Sequence, residues 1–240
     1  MIKKITLPIN KSTLLVLFLF LTVVSYSQTV IHSADFENSL DGWTQDTGDT
    51  LNWTIKQEEG DGNSTPSGNT GPSLAASNNY FLYTEATSNF NKTANLISPT
   101  FDLSGVSSPL FNFYYHMYGQ QDMGTLNVDI STDGGLTYST NLWSQSGQVQ
   151  TSYGAAWIQV NLNLNAYIGQ SSVKIRFRGL TGGGYRSDMA IDNVSLTVAA
   201  VGPEINVTDN DGTPTNILDG DNTPTVAKST DFGDVFYSSG

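Results

Sequence analysis

The chain of 240 residues contains no cysteine and only two histidines, His32 and His116. Without thiols there can be no disulfide, no thiolate nucleophile, no Cys-ligated zinc and no lipid attached through an N-terminal cysteine. Two imidazoles are too few for a His-rich zinc centre, so any bound metal is expected to be a hard cation held by oxygen. Positive charge is scarce as well: 10 Lys and Arg stand against 22 Asp and Glu, a formal net charge of -12. Such a chain repels phosphate backbones and anionic lipid surfaces, which excludes nucleic acid as a partner. Charged residues of both signs make up only 13%, roughly half the usual share. Long apolar runs are lacking too. The segment Leu14–Val24 covers 11 positions, where about 20 are needed to cross a bilayer, so no membrane span is expected in the mature chain.

What is present begins with an address. Lys3, Lys4 and Lys11 precede the apolar run, and Ser25 and Ser27 have the small-residue spacing that a signal peptidase reads. Residues 1–27 are therefore expected to be a cleaved signal peptide. Their removal takes away three lysines and no acid, leaving the mature chain more acidic still. An exported chain without cysteine fits a bacterial outer surface or medium, because animal extracellular proteins use disulfides freely.

From Ile31 to Val198 the sequence reads as strands separated by polar turns, with no stretch carrying a helical apolar stripe. Phe111, Phe113, Tyr115 and Met117 share one face of a strand; Asn112, Tyr114, His116 and Tyr118 share the other. Aromatic residues on both faces suggest a central strand packed on two sides or lining a groove. Leu126, Val128 and Ile130 alternate with Asn127 and Asp129, and Ile158, Val160, Leu162 and Leu164 alternate with Gln159, Asn161 and Asn163. Val173, Ile175 and Phe177 oppose Lys174, Arg176 and Arg178, which gathers much of the mature positive charge on one wet stripe. Ala190, Asp192, Val194, Leu196 and Val198 read as one face of a closing strand. Half-buried strands of this kind need a second sheet to cover their apolar faces, so the expected architecture is an all-β sandwich. Two polar inserts, Gln57–Asn79 and Ser144–Gly154, interrupt it.

Several residues invite a functional reading. Ser131-Thr-Asp-Gly-Gly-Leu-Thr-Tyr138 has the spacing of an Asp-box, in which Asp133 braces a hairpin turn while Gly134 and Gly135 take positive φ. That role is structural, and no second carboxylate is placed by spacing for catalysis. His116 has no Ser or Cys nucleophile near it in sequence, so no catalytic residues are expected and the chain is read as a non-enzyme. Trp43, Trp53 and Trp157 suggest either sugar stacking or core packing, with core the stronger reading for Trp43 and Trp53. Tyr114, His116 and Tyr118 either line a ligand surface or lie beneath the long loop.

Four stretches, in order, resemble the MAM domain, an extracellular adhesion module: Asp35-Phe-Glu-Asn-Ser-Leu-Asp-Gly-Trp43 with Leu51-Asn-Trp53; Asn69-Thr-Gly-Pro72 with Tyr80-Phe-Leu-Tyr-Thr-Glu85; Phe113-Tyr-Tyr-His-Met-Tyr-Gly119 with Met123-Gly-Thr-Leu126; and Ile175-Arg-Phe-Arg-Gly179 with Ser187-Asp-Met-Ala-Ile-Asp-Asn-Val194. The resemblance implies a jelly-roll β-sandwich of two antiparallel sheets over residues 28–200, with an adhesion or protein-interaction role and no active site. Animal members carry paired cysteines at the positions of Ala34 and Asp41. The likeness extends to calcium-binding jelly rolls, and implies a structural calcium held by Glu37, Asp49 and Asp192, with Asp35, Glu85 and Asp188 as second candidates.

Residues 201–240 resemble the opening of a choice-of-anchor D module, an immunoglobulin-like domain of bacterial surface proteins, too short here to complete a sandwich. They are expected to be disordered or weakly docked. The function expected is therefore a non-catalytic extracellular adhesion module whose partner is a protein or a glycan. The alternative is an accessory or carbohydrate-binding region of an exported peptidase or glycan hydrolase.

Overall fold

The computed structural model describes residues 28–59, 65–120 and 122–199, together with the backbone of two short strands after them. The expectations for residues 1–27 lie outside the described residues, as do those for 201–240 apart from those two strands. The first sheet has the strand order β3 (Trp53–Gln57), β4 (Tyr80–Thr84), β11 (Met189–Ala199), β6 (Leu110–Met117), β9 (Ile158–Asn163), with β1 (Gln28–Ala34) also paired to β11. The second runs β2 (Thr44–Gln45), β5 (Thr93–Ile97), β10 (Lys174–Thr181), β7 (Gly124–Ser131), β8 (Thr140–Ser146). Every pairing in both is antiparallel. The last two strands, β12 (Val207–Thr208) and β13 (Pro214–Thr215), pair only with each other. This is the all-β sandwich expected from the alternation, with the two antiparallel sheets of the jelly roll that the resemblance implies.

Between the sheets lies an aromatic layer drawn from the inward positions of β6 and β10. The Phe177 ring centroid is 5.0 Å from that of Phe113, edge to face, and 5.3 Å from that of Trp43. Trp143 on β8 meets Phe113 at 5.3 Å and Tyr115 at 5.0 Å, also edge to face. These offsets let each electron-poor ring edge meet an electron-rich face while all four elements lose water. Trp43 and Trp53 are core residues, 2% and 3% exposed, and the Trp53 indole N–H donates to the Ala94 carbonyl.

Two irregularities change the faces that strict alternation assigns. On β11 the register shifts between Asp192 and Ser195, with Asn193 at φ 47. Ile191 before the shift and Val194 and Leu196 after it therefore all enter the main core, whereas Ala190 joins Phe81 and Tyr83 on the outside of the sheet. On β8 a shift opposite Val128 and Asp129 lets Trp143 point inward while Asn141 and Ser144 stay outside. β8 also runs to Ser146, so the second polar insert begins three residues later than the composition suggests.

No disulfide closes the start of the fold. The Asp41 side chain stands in its place: its Oδ2 accepts from the backbone N–H of Asp35 at 3.1 Å and of Phe36 at 2.9 Å. Phe36 is at φ 55 and Asp41 at φ 48, a conformation that buries the Phe36 ring completely. We expect Asp41→Ala to lower stability by about 1–3 kcal/mol, because two donors lose their acceptor. Phe177→Ala should cost about 3–5 kcal/mol through the cavity it leaves. Urea unfolding of the two variants beside the parent chain checks both values.

Candidate functional site

The carboxylates singled out for calcium divide into two places. Glu37, just past the end of β1, accepts from the backbone N–H of Asn79 at 2.9 Å and of Tyr80 at 2.8 Å. Asp192 is fully buried; its Oδ2 accepts from Ala76 N–H at 2.8 Å and Ser77 N–H at 3.0 Å, and its Oδ1 from Asn193 N–H at 2.6 Å. Burial pushes the Asp192 carboxyl up to about 7; the three backbone donors oppose the rise, and the Glu37 charge adds to it. Among the described residues neither carboxylate has a Lys or Arg partner. Asp35 is adjacent, its Oδ2 accepting from the Asn78 side-chain amide at 3.2 Å.

Asp49 does not join them. It sits in the loop between β2 and β3 and is bonded by the backbone N–H of Asn95, on the second sheet. Its carboxyl is raised by burial, with Asn95 N–H opposing and Asp46 adding to the rise. The trio is thus corrected to a pair: the chain leaves β2 for the other sheet only after Asp49, which keeps this acid beside β5. Among the described residues no three His, Asp or Glu side chains converge as a metal cage. Asp188 and Glu85 form a separate group, in which Asp188 accepts from Ala86 N–H at 2.9 Å. Burial pushes Asp188 up to about 7, with the Ala86 N–H opposing and the Glu85 charge adding to the rise.

The aromatic outer face of the first sheet is covered. His116 is fully buried, its ring 5.6 Å from Trp157, which in turn meets Phe81 at 5.9 Å and donates its indole N–H to the Leu74 carbonyl at 3.0 Å. The segments around Leu74 and Trp157 therefore lie over Phe81, Tyr83 and Ala190. Burial lowers the His116 pKa to about 4, opposed by backbone groups of Ala155 and Ser152. Sealed from solvent and weakened as a base, this imidazole is placed as a packing group under the indole. Tyr114 and Tyr118 remain half-buried, with Tyr118 against Tyr153.

The second sheet presents an open, polar outer face. Cross-strand register builds it from rows that run from edge to edge: Thr44, Ile97, Arg176, Asp129 and Asn141 in one, and Asn95, Arg178, Asn127 and Ser144 in the next. At the centre, Asp129 is 2% exposed and holds both arginines. Its Oδ2 accepts from Arg176 Nη2 and Arg178 Nε, each at 2.8 Å; its Oδ1 accepts from Arg178 Nη2 at 3.1 Å and Asn141 Nδ2 at 2.9 Å. Burial alone would raise this carboxyl, but the bonds from Arg178, Asn141 and Arg176 outweigh it and hold it below its ordinary value. The Arg176 guanidinium lies 4.1 Å from the Tyr138 ring centroid, a cation–π contact.

Tyr138 is delivered by the Asp-box. Asp133 Oδ1 accepts from the Ser131 hydroxyl at 2.6 Å and Thr137 N–H at 3.0 Å, and Oδ2 from the Thr137 hydroxyl at 2.5 Å. Gly134 and Gly135 take φ 74 and 92. These bonds hold the Asp133 pKa well below the ordinary carboxylate range, so the box is a turn brace, as its spacing suggests. Beside the rows, at the β2 edge, a depression of ≈ 470 Å³ is walled by residues 45–52, including Asp46 and Asp49. Asp46 Oδ2 accepts from the Asn95 side-chain amide at 3.1 Å, which ties the depression to the face. Alternation in the sequence marks Asp129, Arg176 and Arg178 as outward. Only the register, which leaves no local signature, places them in contact with one another and with Asn95 and Tyr138.

The family description "MAM domain, meprin/A5/mu" matches residues 34–200. The "MAM domain-containing glycosylphosphatidylinositol anchor protein 2" of Mus musculus is 34% identical over 166 residues, which cover 64% of this chain and 16% of that protein. The protein of the same name from Homo sapiens is 31% identical over 192 residues, covering 72% of this chain and 19% of the relative. The chain thus spans less than a fifth of the length of these curated relatives. Among solved structures, a cleaved adhesin domain of Lys-gingipain from Porphyromonas gingivalis aligns at a TM-score of 0.48 and 17% identity, over 73% of this chain and 99% of that one.

The buried acids set a pH dependence. A carboxyl raised above its unfolded value of 3.8 contributes stability that is fully present below that value and is lost as pH rises through about 7. His116 and His32, both lowered by burial, contribute stability that is lost as pH falls below 6.5, for His116 through about 4, so above pH 6.5 the carboxylates dominate. In chelator, the melting temperature should fall between about pH 6.5 and about pH 8.5, and Asp192→Asn should flatten the fall. A melting temperature that rises across this interval would contradict the burial assigned to Asp188 and Asp192.

Proposed function

The chain belongs to the MAM domain family, and from that premise we propose that it is a non-catalytic extracellular adhesion or recognition module of a secreted bacterial surface protein. The observation that carries this reading is the open face of the second sheet, where side chains of β7, β8 and β10 are already bonded to one another and stand ready on a rigid scaffold. Pre-bonded groups lose little further conformational freedom on contact, which favours recognition. The bacterial assignment rests on the export signal read in residues 1–27 and on the absence of cysteine. No helix among the described residues is long and apolar enough to cross a membrane. The segment after residue 200 is read as the opening of a neighbouring choice-of-anchor D module.

The non-catalytic reading is supported by the state of the acids and histidine. Asp133 braces its turn, Asp129 holds two arginines, and Glu37 and Asp192 each accept from strand-end backbone N–H groups. His116 is sealed beneath Trp157. Beads coated with the full chain should adhere saturably to at least one immobilised extracellular-matrix protein or polysaccharide. Incubation with peptide and glycoside substrates should release no product. Product release abolished by a single carboxylate substitution would overturn the reading in favour of an enzyme or enzyme accessory.

We propose in addition that Glu37 and Asp192 hold a structural calcium ion. Two carboxylates brought together, one of them fully buried and both without a basic partner, are the donor chemistry that this cation takes. When bound, the ion would offset the burial that raises the Asp192 carboxyl and the added contribution of the Glu37 charge. At 1 mM calcium and an affinity near 10 μM, binding to the folded state adds about 2.7 kcal/mol, a melting shift of about 5–10 °C. Glu37→Gln or Asp192→Asn should remove most of that shift, and Asp49→Asn should leave it intact. Superimposable melts in calcium and in chelator would sink the site.

A further inference from the structure

Three properties of the open face narrow what it can bind. Its charges are of both signs. Arg176 and Arg178 share Asp129, and Asp46 lies against the Asn95 amide. An anion brought to the depression would meet Asp46 and Asp49; a cation brought to the rows would meet the two arginines.

The face also lacks an apolar anchor. Of the large hydrophobic side chains exposed on the described surface, Leu180 at the end of β10 is the one that stands among these rows. Protein–protein interfaces of useful affinity are centred on buried aromatic or aliphatic anchors, which this surface does not offer.

Finally, the face holds hydrogen-bonding capacity in reserve. The Tyr138 hydroxyl and Asn95 Oδ1 are buried and have no partner. Each lies next to a surface side chain able to move: Tyr138 beneath Arg176, and Asn95 beneath Asp46. Asn95 itself is 7% exposed, so its amide is fixed in place. Unpartnered polar atoms shielded from water are costly and are usually met by a ligand or a water molecule. The neighbouring depression, ≈ 470 Å³, falls within the size range of small-ligand sites.

From these properties we infer that the depression and the adjoining rows bind a neutral oligosaccharide. This rests on the reading of the chain as a recognition module and names the ligand class of its open face. Sugar hydroxyls both donate and accept, and therefore match a surface that interleaves carboxylate, amide, phenol and guanidinium groups of both signs. Asp46 accepts from one hydroxyl as its side chain swings off Asn95. Asn95, released by Asp46, donates from Nδ2 and accepts at Oδ1 to a second, and the Tyr138 hydroxyl bonds a third. Arg176 supplies remaining N–H donors and a flat surface.

The test uses the full secreted chain in affinity electrophoresis through gels containing neutral polysaccharides (xylan, mannan, β-glucan, galactan) and one charged polymer, heparin. Retardation by at least one neutral polymer is expected, little changed between about 50 mM and about 500 mM salt because no net charge is paired. Tyr138→Phe and Asp46→Ala should each weaken it about tenfold, with melting temperatures close to that of the parent. Tyr153→Ala, in the loop that packs on the other sheet beside Tyr118, should have no effect. Absence of retardation by every neutral polymer, retention confined to heparin and lost in salt, or binding indifferent to both Tyr138→Phe and Asp46→Ala would each overturn the inference. If the coated beads still adhere to a matrix protein in that event, the adhesion reading stands and its partner is a protein; if adhesion is lost as well, both fall.

Discussion

The structure depends on one strand changing partners along its edge. β11 pairs with β6 on one side throughout, but on the other it pairs first with β4, at Ala190 and Ile191, and then with β1, from Val194 onward. The change takes place at the bulge around Asn193. Where β1 stops and β4 has yet to begin, backbone donors lose their ladder partners. Glu37 and Asp192 supply acceptors there, to Asn79, Tyr80, Ala76 and Ser77. Buried donors must find acceptors, so the acids at this junction follow from the sheet topology before any question of a cation arises. The same bulge turns Ala190 outward, where it joins Phe81 and Tyr83 beneath Ala75 and Trp157.

Much of the architecture is legible in residue order because the period of two is so regular on β6, β7 and β10. Phe111, Phe113 and Phe177 read as inward and are inward; Lys174, Arg176 and Arg178 read as outward and are outward. The Asp-box is legible for a different reason: its bonds close within seven residues, from Ser131 to Thr137, so local spacing contains the whole motif. What residue order hides is register and long-range company. Asp129 meets Arg178 across 49 positions and Asp192 meets Ala76 across 116. Asp49 shows the limit most plainly. By motif it accompanies Glu37, yet the chain crosses between sheets next to it and leaves it on Asn95. The burial of His116 could be read only as one of two options, since an aromatic strand face looks the same whether a loop or a ligand covers it.

Closing the sandwich without cysteine places a particular burden on Asp41. A disulfide restrains the unfolded chain as well as the folded one, whereas the Asp41 carboxylate acts only once Asp35 and Phe36 are in place. This domain accordingly relies on its aromatic layer for cohesion and on short-range carboxylate bonds for the geometry of its chain ends. Such a solution is indifferent to the redox state of the surroundings.

The edges of the second sheet limit the manner in which it can associate. One edge is β2, two residues long; the other is β8, interrupted by the register shift opposite Val128 and Asp129. Short and bulged edges are poor templates for an incoming strand. Neighbouring copies crowded on a surface would therefore not zip together along this sheet, and a partner must be gripped by side chains across its face, not by backbone at its rim. Specificity then resides in a handful of outward residues that can change without disturbing the hydrogen-bonded frame beneath them.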